Sequence, residues 1–260
     1  MPWLHLVPSV LEAWYPGQED GRAIASVLFG DVDPAGKLPV TFPASLAQVP
    51  AFSPTRWPGA GEQDFSEGIF VGYRYYQAHH EKPLFPFGYG LSYTSFRFGG
   101  ARVAGRRGRF KVSLTVQNTG HRLGSDVVQL YVGDPRADRE PPRQLEAFRR
   151  VTLTPGARTR VVLPLAPRNL SVWRGRWQAR PGRYQLYVGD SAAHLPIHLH
   201  VSLGRAIISG RPLGAAPRIR RDPSGLATEC YKDTFAPDVA ALLTFEGDAQ
   251  AVKSDLGSLP

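Results

Sequence analysis

Between residues 101 and 203 apolar and polar positions alternate with a period of two. Phe110, Val112, Leu114 and Val116 alternate with Lys111, Ser113, Thr115 and Gln117. The rhythm returns in Val128, Leu130 and Val132, in Val161, Leu163 and Leu165, and in Tyr184, Leu186 and Val188. A last run sets Leu195, Ile197, Leu199 and Val201 against His194, His198 and His200. A pleated chain points successive side chains to opposite faces, so each run reads as a strand with one face on a core and one in water. Turn signals separate the runs, among them Asn118-Thr119-Gly120 and Pro181-Gly182. About seven such strands in about 100 residues predict an antiparallel β-sandwich.

The first hundred residues follow a different pattern. Residues 10–15 read as a strand that ends at Pro16-Gly17. Asp20 is placed to cap a helix over 21–29, where Ala23, Ile24, Val27 and Leu28 recur at helical spacing and Gly30 suits a left-handed stop. Asp33-Pro34-Ala35-Gly36 reads as a turn, and 37–42 as a short strand closed by Pro43. Strand, helix and strand make an α/β fragment whose sheet is too small to stand alone. Residues 43–90 are mostly loop, rich in Pro, Gly and aromatics; loops that long are functional or docked on another domain. From Gly204 the chain is basic and Pro-punctuated, with a weakly helical stretch over 236–245, and reads as a mobile extension.

Charge divides the chain at about the same places. Residues 1–98 hold 6 Lys+Arg and 9 Asp+Glu, residues 99–203 hold 18 and 6, and residues 204–260 hold 7 and 7, which together give the net charge of +9. Aromatic residues number 18, 7 and 3 over the same segments. The expected organisation is an aromatic-rich α/β part over 1–98, a basic sandwich over 99–203 and an extension over 204–260. Gly and Pro total 51 of 260 residues, which favours turns and short strands over long helices. No apolar run approaches the ~18 residues of a membrane span. The single cysteine, Cys230, excludes an intramolecular disulfide and a multi-thiolate metal site. The N-terminus lacks a basic n-region, and Pro2 and Pro8 break its apolar stretch, so no signal peptide is visible and the default compartment is cytoplasmic.

Few residues invite chemistry. Gly30 to Lys37 is one residue too long for a phosphate loop, and Leu38 stands where a magnesium-binding Ser or Thr belongs. His194, His198 and His200 share one strand face, but with no carboxylate pattern beside them they read as a solvated face, and no metal site is assigned. Arg102, Arg106, Arg107 and Arg109 could grip phosphates, yet no aromatic is interleaved to stack bases, so nucleic acid is not an expected partner. Asn169-Leu170-Ser171 fits a glycosylation sequon that chance alone would supply. The carboxylates Glu12, Glu19, Asp20, Glu62, Asp64 and Glu67 lie in the aromatic-rich first region. Sugar-processing sites combine paired carboxylates with aromatic walls, but spacing does not select a pair here.

The order of several longer motifs carries more. Trp14-Tyr-Pro-Gly-Gln-Glu-Asp-Gly21, Ala25-Ser-Val-Leu-Phe-Gly-Asp-Val-Asp-Pro34 and Gly36-Lys-Leu-Pro-Val-Thr-Phe-Pro43 resemble the end of the α/β sandwich domain of family 3 glycoside hydrolases, the β-glucosidases, β-xylosidases and their relatives. Glu67-Gly-Ile-Phe-Val-Gly-Tyr-Arg-Tyr-Tyr76 and Pro83-Leu-Phe-Pro-Phe-Gly-Tyr-Gly-Leu-Ser-Tyr-Thr94 continue the resemblance. Val128-Gln-Leu-Tyr-Val-Gly-Asp-Pro135, Leu145-Glu-Ala-Phe148 and Pro181-Gly-Arg-Tyr-Gln-Leu-Tyr-Val-Gly189 are similar to that family's fibronectin-type-III-like domain. The resemblance covers residues 2–203 and does not extend to residues 204–260.

It implies an α/β fragment followed by an all-β immunoglobulin/fibronectin-III-like sandwich, mostly β overall. It also implies an incomplete site. The family's nucleophilic aspartate lies in an N-terminal barrel and its acid/base glutamate upstream of the Pro-Gly-Gln-Glu stretch, so this chain begins after both and no residue inherits a catalytic role. The loop over 67–76 lies towards the substrate cleft or domain junction in the family, which makes Glu67, Tyr73 and Arg74 substrate-contact candidates; packing between domains is the competing reading for Tyr73, Tyr75 and Tyr76. The expected function is the C-terminal portion of a β-glycosidase, with a β-linked glycoside as substrate only in the complete enzyme. No cofactor, nucleic acid or membrane partner is implied. The alternatives are a non-catalytic module binding a polysaccharide or an acidic polymer, and one subunit of a split glycosidase that docks on a barrel-domain partner chain.

Overall fold

The computed structural model describes residues 1–52, 67–135 and 140–209, which belong to one compact unit. Glu62, Asp64, Cys230 and the helix expected over 236–245 lie outside the described residues.

Two short helices, α1 (Asp20–Leu28) and α2 (Tyr73–Ala78), precede ten strands. In chain order these are β1 (Phe96–Arg106), β2 (Arg109–Asn118), β3 (Gly124–Gly133), β4 (Gln144–Leu153), β5 (Arg158–Leu165), β6 (Ser171–Trp173), β7 (Trp177–Ala179), β8 (Gly182–Gly189), β9 (Ile197–Leu203) and β10 (Ile207–Ser209). One sheet has the order β1-β2-β5 and the other β4-β3-β8-β9, with every pairing antiparallel; β6, β7 and β10 form a small third sheet. The alternating residues meet between the two main sheets. Val112, Leu114, Val116, Val128, Leu130, Val161, Leu163, Leu186 and Val188 are all buried there. Each such side chain contributes about 1.5–3 kcal/mol by leaving water. Tyr184 adds a tyrosine corner: its hydroxyl donates to the Arg180 carbonyl at 2.9 Å and accepts from the Arg180 N–H at 2.8 Å.

The change in composition near Gly99 falls inside β1, which begins at Phe96 and carries a bulge between Gly99 and Arg102. The β1–β2 hairpin turns through Arg107 and Gly108, both at positive φ (55° and 78°). That is the type I′ geometry whose twist matches the flanking strands.

The first region departs from its sequence reading in three places. Residues 10–15 form no strand: Trp14 has φ 51°, which a ladder does not admit, and its ring packs edge-on against Phe42 instead. Residues 33–36 form no turn, and Asp33 is held by the sandwich instead. Residues 37–42 run antiparallel to 85–89, linked at Leu38–Tyr89 and Phe42–Phe85, but as an isolated bridge rather than a regular strand. The helix does form, and Gly30 ends it at φ 80°. Asp20 is its first residue rather than its cap, since the turn Gly17–Glu19 runs straight into it.

A cluster of polar contacts fastens this region to the sandwich. The Asp33 carboxylate accepts from Ser92 Oγ (2.7 Å), Tyr93 N (2.8 Å) and Ser125 N (3.1 Å). Lys37 Nζ lies 2.9 Å from Asp126 Oδ1 and donates to the Gly90 carbonyl at 2.7 Å. Arg122 donates to the Gly30 carbonyl. Buried Asn118 uses its whole amide, donating to Arg122 O and Leu153 O and accepting from Thr94 Oγ1 and Gly120 N.

Candidate functional site

The segment after residue 67 lies on the outer face of the β4-β3-β8-β9 sheet. Gly72, at φ 55°, lets the chain reverse into α2, and α2 presents Tyr73 to the sheet. The Tyr73 ring lies 5.0 Å from Phe87 and meets Tyr131 edge-on at 5.7 Å. Its hydroxyl accepts from the Leu145 N–H at 2.9 Å. Beneath it, Tyr131 donates to Gln129 Oε1 at 2.7 Å, and the Gln129 amide bonds to the Gly88 and Asp190 carbonyls. Burial pushes the Tyr131 phenol far above its ordinary range. Tyr131, Ala192 and Leu195 thus form a second small core with Tyr73, Phe87, Leu145 and Tyr187 around it.

The three candidate contacts are not gathered into one site. Tyr73 is a packing residue of this second core. Arg74, half-buried, sits 5.9 Å over the Tyr73 ring and faces Glu146 of β4. Glu67 is half-buried too, and its Oε2 is closed to solvent with no hydrogen-bond partner. A cleft of about 310 Å³ opens beside α2, lined by Thr41, Tyr73, Tyr76, Gln77, Glu81 and Arg143 among others; Glu67 and Arg74 do not line it. Thr41 Oγ1, Gln77 Oε1 and Glu81 Oε2 also lack partners.

Among the described carboxyls Glu146 is the most perturbed. Burial raises it from its ordinary 4.5 to about 7, while the hydrogen bond from Asn169 and the charges of Arg74 and Arg168 pull the other way. The Asn169 amide, read above as a sequon, donates to the Glu146 carboxylate at 3.0 Å. The C-terminal histidines take separate partners: His194 faces Asp190, His198 the Leu195 carbonyl and His200 Arg183. No group of three or more His, Cys, Asp or Glu among the described residues could hold a metal ion. No helix among them is long and apolar enough to cross a membrane.

Sequence reasoning missed the long-range roles of Asp33, Asn118 and Gln129, which fasten the two parts together, and of Glu146, which ties β4 to the 167–170 turn. Each joins residues far apart in the chain, so no local spacing marks it.

The family model of the glycosyl hydrolase family 3 C-terminal domain matches residues 1–93, and that of the fibronectin type III-like domain matches residues 126–192. This chain belongs to the C-terminal region of the family 3 glycosyl hydrolases. A β-glucosidase of Rhizobium radiobacter is 48% identical over 215 residues, covering 77% of this chain and 26% of its own length. The β-glucosidase DesR from Streptomyces venezuelae, solved with D-glucose, shares 39% identity at a TM-score of 0.74 over 78% of this chain and 27% of its own. Thermotoga neapolitana β-glucosidase 3B, solved with glucose, shares 36% at a TM-score of 0.75 over 80% and 30%. The chain therefore spans about a quarter of the length of the family 3 relatives it matches. The observed fold, mostly β with an α/β fragment ahead of a fibronectin-like sandwich, is that of the family's C-terminal region.

Proposed function

We propose that this chain is the C-terminal portion of a retaining β-glycosidase that hydrolyses terminal β-linked glucosyl or xylosyl units. It is catalytically incomplete by itself. Retaining hydrolysis needs a nucleophilic carboxylate and an acid/base carboxyl about 5 Å apart, and both come from the barrel and upstream part of the complete enzyme. This chain supplies the sandwich and the surface on which that part docks.

The observation that carries the docking is exposure of apolar side chains over the first 52 residues, none of which is buried. Tyr15 is 98% exposed, Phe29 85%, Leu6 72% and Leu28 63%. Large apolar side chains left this exposed suit burial against a protein partner. Within this reading Glu67 remains the substrate-contact candidate by its place in the family's loop. Tyr73 and Arg74 serve the junction.

The test is turnover of aryl β-glucoside and β-xyloside by the purified chain, alone and after mixing with a barrel-bearing family 3 polypeptide that lacks this region. The expected result is no turnover alone, and a stable complex with turnover after mixing. Turnover by the chain alone, abolished by substituting one of its own carboxylates, overturns the reading.

A further inference from the structure

The two sheets of the sandwich have very different outer faces. That of β4-β3-β8-β9 is covered by the 67–90 segment, so Gln129 and Tyr131 are buried although they point away from the main core. Among the described residues no segment covers that of β1-β2-β5. The alternation places Phe96, Phe98, Val103, Val112, Leu114 and Val161 against the core, so the intervening positions point outwards. On β1 these include Arg97, Arg102 and Arg106, all exposed. On β2 they include Arg109 and Lys111, and on β5 Arg158 and Arg160, also exposed.

The strand register turns these positions into a lattice. Gln117 lies between Arg97 and Arg158, Thr115 beside Arg160, and Ser113 beside Arg102. Neighbouring strands lie about 4.8 Å apart and successive outward positions about 6.8 Å apart along a strand, so the cations cover roughly five rows, about 27 Å. The three strands contain no Asp or Glu. Among the described residues none of the seven cations forms an ion pair; Arg160 donates only to Ser113 Oγ, at 3.1 Å. The basic surface continues round the edge into a groove of about 190 Å³ between β4 and β5, lined by Arg149, Arg150, Thr159 and Arg160.

Seven like charges on one small face repel one another, and burial gains nothing there to offset this. A bound polyanion removes that cost. We propose that the outer face of the β1-β2-β5 sheet binds a linear acidic polysaccharide, its carboxylates paired with the arginine rows and its hydroxyls with the central strand. Six of the seven cations are arginines, whose planar forks match carboxylates two bonds at a time. Between the rows stand a hydroxyl, a second hydroxyl and an amide, from Ser113, Thr115 and Gln117, the groups that sugar hydroxyls bond to. Single-stranded nucleic acid is disfavoured because the aromatic residues of these strands, Phe96, Phe98 and Phe110, all pack on the core and leave no ring for a base to stack on. The proposal extends beyond the glycosidase reading and does not depend on it.

The test is binding of the full chain to polygalacturonate at about 50 and about 200 mM salt, with the neutral glucan laminarin, a random-sequence duplex DNA and phosphatidylserine vesicles as comparisons. The variant R97S/R158S/R160S is compared with R22S/R183S/R205S, which removes the same charge elsewhere, and with R97K/R158K/R160K, which keeps the charge and loses the forks. Circular dichroism melts show that each is folded. The expected result is polygalacturonate binding that the sheet-face triple weakens about tenfold or more, with the salt dependence falling by about one unit per arginine removed. The control triple leaves affinity within about twofold, and the lysine variant falls between. Equal loss in the control triple, binding no tighter than to laminarin, or equal or tighter binding to the DNA or the vesicles overturns the proposal.

Discussion

Lys37 is the residue whose loss tests how the first region is held to the sandwich. Its Nζ is 2.9 Å from Asp126 Oδ1, and the two side chains are 14% and 7% exposed. At that separation, with an effective dielectric near 20, the gross attraction is roughly 6 kcal/mol, and desolvation of both ions offsets most of it. The net value of the pair is therefore small, but the penalty for removing one partner is not. Lys37→Met leaves the Asp126 carboxylate buried with only the Val127 N–H at 2.8 Å, which costs about 3–5 kcal/mol. Lys37→Met combined with Asp126→Asn removes both charges and recovers most of that loss. The cost appears locally, since the 37–42 segment can undock while the sandwich stays folded. Hydrogen exchange read by mass spectrometry is the suitable assay. Peptides over 37–42 and 85–90 should exchange about 150- to 5,000-fold faster in Lys37→Met, those of β2 and β5 should be unchanged, and the double variant should return towards the parent. Exchange in 37–42 that matches the parent, or a double variant no better protected than the single, refutes the reasoning.

Three further outcomes follow from the same structure. Glu146 holds its proton to about pH 7 when folded against 4.5 when unfolded, so its contribution is complete below pH 4.5 and is lost as pH rises through 7. The difference in urea-derived stability between the parent and Glu146→Gln should change across that window by at most about 3 kcal/mol, and a flat difference counts against the assignment. Tyr184→Phe removes both hydrogen bonds to Arg180 and should lower sandwich stability by about 1–3 kcal/mol with an unchanged denaturant slope, measured by urea unfolding. Gly90→Ala places a methyl group on the Gly36 carbonyl oxygen, which is backbone and cannot turn aside; a loss of about 1–3 kcal/mol in the docking of 33–42, read as faster exchange there, is expected.

The strands of the sandwich were legible because their signal is local. Val112 and Leu114 alternate with polar neighbours whatever lies across the sheet, and both are buried. The first region was legible only as far as α1, which carries its own apolar spacing and its Gly30 stop. Residues 10–15 have strand composition, but a strand needs a partner, and among the described residues none runs beside them. Lys37, Asp33 and Asn118 were illegible for the same reason: their partners Asp126, Ser125 and Thr94 are 24 to 92 residues away.

Alternation has a limit that the two outer faces expose. It predicts that Gln129 and Tyr131 face water as surely as it predicts this for Lys111 and Arg160, because period two distinguishes sides and not what covers them. The side chains themselves carry the missing information. The covered face presents Gln129 and Tyr131, whose polar atoms are satisfied by backbone carbonyls and by each other when water is removed. The bare face presents guanidinium groups, and burying those without carboxylates would cost several kcal/mol each. Of two outward rows with the same rhythm, the one rich in Tyr and Gln is the docking face and the one rich in Arg must stay accessible to solvent or to an anion.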